Sequence, residues 1–139
     1  LHLLSRRQRQ MCIRDRNTKK YINDHMVVAQ KYKKPVVLEE FGFPRDGFRF
    51  SKSTSTEVRD EYYQYVFDLI RQDRENGGLF AGCNFWAWGG FAEQNSEHIY
   101  WEKGDDYTGD PAQEEQGLNS VFATDTTVEI IKTENAKLK

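Results

Sequence analysis

Two short apolar runs, each preceded by a helix-period segment, most constrain what this chain can fold into. The first run is PVVLEEFG, residues 35–42, and the second is LFAGCNFWAWGG, residues 79–90. Both are β-branched or apolar and close on glycine, as buried strands do. Before the first, Tyr21, Ile22, His25, Met26, Ala29 and Tyr32 recur at helical spacing, with Lys31, Lys33 and Lys34 suited to a helix C-terminus and Pro35 ending it. Between the runs, Val58, Tyr62, Tyr65, Val66, Leu69 and Ile70 form one apolar stripe. Thr54 with Glu57 suggests a capping box, and Asn76-Gly77-Gly78 marks the stop. Strands separated by helices imply parallel pairing with right-handed crossovers. Two parallel strands cannot form a stable sheet alone, so both are expected to be fully buried beside neighbours that this chain does not supply.

After the second run, about thirty residues without periodicity lead to Asn119, a length that usually carries function. A last helix is expected after Thr126, with Glu129 completing a second capping box and Val128, Ile130 and Ile131 on its buried face. The order is helix, strand, helix, strand, helix. It contains no internal repeat.

The opening sixteen residues differ in kind. LHLLSRRQRQMCIRDR has five Arg, one acid and no aromatic, Gly or Pro. It has neither the apolar core nor the cleavage site of a signal peptide. RRQRQMCIRD resembles a reading-frame translation of a transposase sequencing adapter, so residues 1–16 are expected to be non-native and disordered, with the folded part spanning 17–139. Setting aside those five Arg and one Asp moves the formal net charge from −2 to −6. An acidic remainder argues against a nucleic-acid partner. No apolar run approaches the roughly 18 residues of a membrane span. Cys83 then stands alone, which makes neither an internal disulfide nor a zinc site.

Chemistry enters at the strand ends. Glu39 and Glu40 close the first strand, and charged residues at the C-terminal end of a barrel strand face the active site. Side chains alternate, so one of the two points inward, and parity alone leaves open which. A hydrated strand tip is the bland alternative. Trp86 and Trp88 occupy alternate positions at the end of the second run and are expected on one face. Indole rings there suit the C–H faces of sugars, against the alternative of core filling. Asp105, Asp106 and Asp110 do not match a calcium loop and are expected as turn formers and caps.

KPVVLEEFG, GCNFWAWGG and GDDYTGDPAQEEQGLNSVF, in that order, resemble the seventh strand, eighth strand and following loop of glycoside hydrolase family 5 β-mannanases. The resemblance covers nearly all of residues 17–139. It implies an α/β fold, the C-terminal quarter of a (β/α)8 TIM barrel with strands 7 and 8 and their flanking helices. It implies retaining hydrolysis of mannan, glucomannan or galactomannan without metal or other cofactor, by a monomer when complete, at an extracellular or periplasmic site. Glu40 falls at the nucleophile position and Trp86 at the subsite beside the cleaved bond. Trp88, Trp101 and His98 are further substrate-binding candidates, with a plain loop histidine as the alternative for His98. The family's acid/base Glu follows an Asn on the fourth strand, and no Asn-Glu pair occurs here. The isolated chain is therefore expected to be inactive and not stably folded. Alternatives are a related glycosidase acting on β-glucan or xylan, a non-catalytic carbohydrate-binding module, which the helical stripe disfavours, and a complete small domain of another role.

Overall fold

The computed structural model describes residues 6–138, with side chains from residue 15 onward. Helix α1 (Arg6–Tyr32) leads into strand β1 (Val36–Phe41), a single 3-10 turn (Asp46–Phe48) and helix α2 (Glu57–Glu75). Strands β2 (Phe80–Phe85), β3 (Trp88–Gly90) and β4 (Val121–Phe122) follow, then helix α3 (Thr126–Lys137). β1 pairs with β2 and β3 with β4, both in parallel, giving two two-stranded sheets. The α/β alternation and the parallel crossover through α2 match the expectation from the periodicity.

α2 is the hub of packing. Tyr62, Tyr63, Val66, Phe67 and Ile70 are buried along it, and Tyr65 and Leu69 pack on the same core partly covered. The core cluster adds Ile22 of α1, Phe41 of β1, Phe80 of β2 and Val121 of β4. Phe41 meets Tyr63 with ring centroids 4.8 Å apart. The start of α2 differs from the expected capping box. Thr56 is the N-cap and makes no side-chain capping bond; instead Asp46 Oδ1 accepts from the Val58 N–H at 3.0 Å. A cap contributes about 1 kcal/mol, whereas each large apolar side chain buried contributes about 1.5–3 kcal/mol. Packing decides this helix. The second expected box also gives way: Asp125 caps α3 by position without a side-chain bond, and Glu129 pairs with Lys132. On α3, Val128, Ile130 and Ile131 reach the core only partly covered, while Thr127 and Glu134 are the buried residues.

α1 begins at Arg6, within the stretch expected to be non-native and disordered, and residues 1–5 lie outside the described residues. The Asp15 carbonyl accepts a hydrogen bond from Tyr65 Oη at 3.1 Å, which ties this stretch to α2. β1 is not fully buried, because Val37, Glu39 and Glu40 are exposed. No strand other than β2 pairs with it among the described residues, so one face and one edge stay open. Residues 79–90 are not one strand either: β2 stops at Phe85 and β3 starts at Trp88, with a cis peptide between Trp86 and Ala87.

The loop after β1 is pinned by charge. Arg45 and Arg59 are buried, and Arg45 Nη2 donates to both oxygens of Asp125 at 2.6 Å. Arg59 Nη1 lies 3.4 Å from Asp125 Oδ2 and donates to the Ser120 carbonyl at 2.7 Å. The Phe122 N–H also donates to Asp125 Oδ2, at 2.9 Å. Burial, and after it the neighbouring Arg45, lowers the pKa of Arg59 from its ordinary value. One carboxylate thus compensates two buried guanidinium groups.

Removing that carboxylate leaves both cations buried and underpaired. Asp125→Ala is predicted to destabilise the protein by about 3–5 kcal/mol, read from chemical or thermal unfolding; a change under about 1 kcal/mol would refute the account. A second prediction concerns alkaline pH. Burial pushes the Cys83 thiol up to about 12 from an ordinary 9.0. A raised folded-state pKa means that its contribution is complete below the unfolded value. It is lost as pH rises from about 9 towards about 12. Cys83→Ala is expected to show a shallower fall in melting temperature across that window than the wild type.

Candidate active site

The geometry of the site begins with a β-bulge. Leu38 pairs with Cys83 and Phe41 with Phe85, so β1 spends three residues where β2 spends two. Glu40 takes up the extra residue with φ +54°. Without the bulge, Phe41 would share the face of Glu39; with it, Phe41 turns into the core against Tyr62 and Tyr63. Both carboxylates stay exposed as a result. The alternation rule, which sends one acid inward and the other away, fails here for that reason. Asn84 Nδ2 donates to Glu39 Oε1 at 3.1 Å across the strand pair.

A groove of about 430 Å³ runs along β1. It is lined by all six β1 residues, Glu39 and Glu40 included, by Tyr21, Ile22 and His25 of α1, and by Phe80. Lining by consecutive residues from both faces of the strand places this groove at the open edge. Trp86 is not among its walls.

Trp86 follows directly on β2 and meets the end of β1 through its backbone. Its backbone N–H donates to the Phe41 carbonyl at 2.8 Å, extending the β1–β2 register by one step. The Trp86 carbonyl lies against the Cα of Gly42, where a side-chain Cβ would overlap it. Glycine is required there by contact. Glu40 and Trp86 are thus adjacent, respectively, to the paired residues Phe41 and Phe85 at the C-terminal ends of neighbouring strands.

The remaining candidates are dispersed. Trp88 is 54% exposed on β3, with its indole nitrogen beside Gly90. Since the strand breaks at Trp86–Ala87, the period-2 argument does not put Trp86 and Trp88 on one face. Trp101 is half-buried in the long loop, and its Nε1 donates to the Asp105 carbonyl at 3.3 Å. His98 Nδ1 lies 2.8 Å from the Tyr100 carbonyl, and its ring sits near Glu102 and Asp105. Asp105 is held below the ordinary carboxylate range by hydrogen bonds from Asn95 and the Glu102 N–H. It acts as the turn former expected of it, whereas Asp106 ties distant parts of the loop by accepting from the Glu93 N–H.

Sequence reasoning missed the polar interior of the long loop. Asp110, Gln116, Ser120 and Thr108 are all buried. Gln116 Oε1 accepts from Thr108 Oγ1 at 2.8 Å, while its Nε2 lies within 3.2 Å of the carbonyls of Asp110, Pro111 and Glu114. Gln94 spans between the Phe50 and Gln116 carbonyls, and its Oε1 accepts from the Lys52 N–H. The available signal was the pair Gly109 and Gly117, both at positive φ, bracketing an Asp-Pro and a Gln.

A family model described as GH family 5 β-mannosidase-like matches residues 6–139. A putative mannan endo-1,4-β-mannosidase P of Arabidopsis thaliana is 35% identical over 69 residues, which cover 49% of this chain and 16% of that protein. Mannan endo-1,4-β-mannosidase 3 of the same plant matches over the same lengths at the same identity. Among solved structures, a glycoside hydrolase family 5 mannosidase from Rhizomucor miehei superposes with a TM-score of 0.78 and 36% identity. That match covers 89% of this chain and 31% of the other. A mutant of that enzyme in complex with mannosyl-fructose gives a TM-score of 0.81 and 35% identity, covering 92% and 32%. The chain spans about a third of the length of these solved structures and about a sixth of the plant proteins.

Proposed function

This chain belongs to the glycoside hydrolase family 5 β-mannosidase-like family, and from that membership we propose that it forms the C-terminal quarter of a (β/α)8 barrel, contributing strands 7 and 8. The whole enzyme would be a retaining endo-β-1,4-mannanase acting on mannan, glucomannan or galactomannan. The Rhizomucor miehei relative in complex with mannosyl-fructose supports an oligosaccharide substrate.

The observation that carries the reading is the bulge at Glu40, which keeps a carboxylate exposed at the C-terminal end of β1. The next strand continues directly into an indole that could stack on a sugar ring. In this reading Glu40 attacks the anomeric carbon and forms a glycosyl-enzyme intermediate. A second carboxylic acid, about 5 Å from it, protonates the leaving oxygen and then activates water. That acid would come from the part of the barrel outside this chain. Glu39, held by Asn84, serves as a neighbour that tunes charge and position rather than as the nucleophile. Trp86 forms the wall beside the cleaved bond, with Trp88, Trp101 and His98 as outer contacts. Polymeric substrate implies an extracellular or periplasmic site of action.

Two outcomes test the proposal. In the full-length enzyme, Glu40→Gln should reduce mannan hydrolysis by at least about 1,000-fold. Glu39→Gln removes a charge while keeping an oxygen that can accept from Asn84, and should cost less than about tenfold. The reverse ranking would assign the nucleophile to Glu39, and indifference to both would favour a binding module. The 139-residue chain assayed alone should release no reducing sugar from mannan, and turnover from it would contradict the placement of the acid/base elsewhere.

A further inference from the structure

The buried polar knot in the loop between β3 and β4 is more elaborate than a connection between two strands requires. Asp110 is fully buried, and its carboxylate accepts three hydrogen bonds. Gly117 N–H donates to Oδ2 at 2.8 Å, Ser120 Oγ to Oδ2 at 2.6 Å, and Asn119 N–H to Oδ1 at 3.3 Å. All three donors lie seven to ten residues further along the chain. A buried carboxylate is costly unless such donors satisfy it, so the loop is committed to one arrangement.

The donors lead directly to the candidate sugar wall. The Asn119 carbonyl accepts from the Ala87 N–H at 3.3 Å, and the Val121 N–H donates to the Ala87 carbonyl at 2.8 Å. Residues 119–121 therefore grip both sides of the residue that follows Trp86. Gly109 also presses close to this segment: a Cβ there would stand 2.8 Å from the Trp88 carbonyl and 3.0 Å from the Ala87 Cβ. Asp110 is the next residue, so its backbone follows this contact while its carboxylate sets the other grip.

We infer that Asp110 is a positioning residue for Trp86: through Asn119 and Ser120 it fixes the Ala87 backbone and hence where the indole faces the sugar beside the cleaved bond. The inference rests on the assignment of Trp86 as a subsite wall. Asn in place of Asp110 is the informative change. However its amide is turned, an NH₂ group meets at least one of the three donors, at nearly unchanged volume. Misplacing a wall of the reacting sugar affects the transition state more than initial binding.

The test is a double-mutant cycle in the full-length enzyme on a β-1,4-mannooligosaccharide. Asp110→Asn should lower kcat about 10- to 100-fold, with KM changed less than about threefold. In a Trp86→Ala background the same substitution should lower kcat less than about twofold, because the group through which it acts is gone. Equal losses in both backgrounds, or no loss in the wild type, would overturn the inference, since a purely structural role does not depend on the indole. Glu114→Ala, an exposed side chain of the same loop, should leave turnover unchanged. If Asp110→Asn does not fold, Ser120→Ala removes a single bond to Asp110 and should show the same background dependence at smaller size. A wild-type enzyme without mannanase activity would defeat the proposed function and leave this inference to a spectral readout. The Trp86 contribution to near-ultraviolet circular dichroism, obtained by difference from Trp86→Phe, must then shrink in Asp110→Asn, and an unchanged signal would overturn it.

Discussion

The carboxylate of Asp125 ties the loop after β1, α2 and α3 to one another through buried charge. It sits at the N-terminus of α3, accepts from Arg45 in the loop after β1, and lies beside Arg59 on α2. Arg59 in turn donates to the carbonyls of Phe43 and Ser120, which flank the two sheets. Arg45 also donates to the Thr54 carbonyl and packs its guanidinium 5.5 Å from the Phe122 ring centre. Apolar packing around α2 supplies most of the favourable free energy, but it is non-directional. The buried ions add direction. Each is tolerable only in the one arrangement that pairs it.

That fixed frame is what makes a one-residue irregularity in β1 consequential. Phe41 is anchored in the aromatic cluster with Tyr62 and Tyr63. Between Leu38 and Phe41 the strand spends one residue more than β2, offsetting the residue that β2 gains between Val36 and Val37, and it does so at Glu40, whose backbone enters the left-handed region. For a residue with a Cβ this conformation costs free energy, and such sites cluster where function needs them. The strain is offset by the packing of Phe41 on one side and the β1–β2 pairing on the other. A reactive carboxylate proposed for nucleophilic attack thus sits at one of the two register shifts in the β1–β2 pair.

The long loop extends the same logic from ions to neutral polar groups. Gln94 and Gln116 satisfy backbone carbonyls that lack strand or helix partners, and Asp110 gathers donors from the end of the loop. Buried backbone groups need such partners. A stretch of some thirty residues without periodicity can be well defined when its own side chains do the pairing, and here that order reaches the segment carrying Trp86 and Trp88.

Much of this was legible in residue order. Helical and strand periodicity, Pro35, and the Asn76-Gly77-Gly78 stop gave the kind and order of α1, β1, α2, β2 and α3, because each is set by contacts within a few residues, while β3, β4 and the 3-10 turn were not foreseen. The motifs at both strand ends pointed to the family that the whole-chain comparison supports. Tertiary structure alone decided which way Glu39 and Glu40 face, where the run after Leu79 breaks, and which polar groups go inside. Those outcomes depend on pairings between distant positions, such as Arg45 with Asp125 eighty residues away. A pattern read along one segment carries the face that segment prefers. It does not carry the register or the partner that another segment imposes on it.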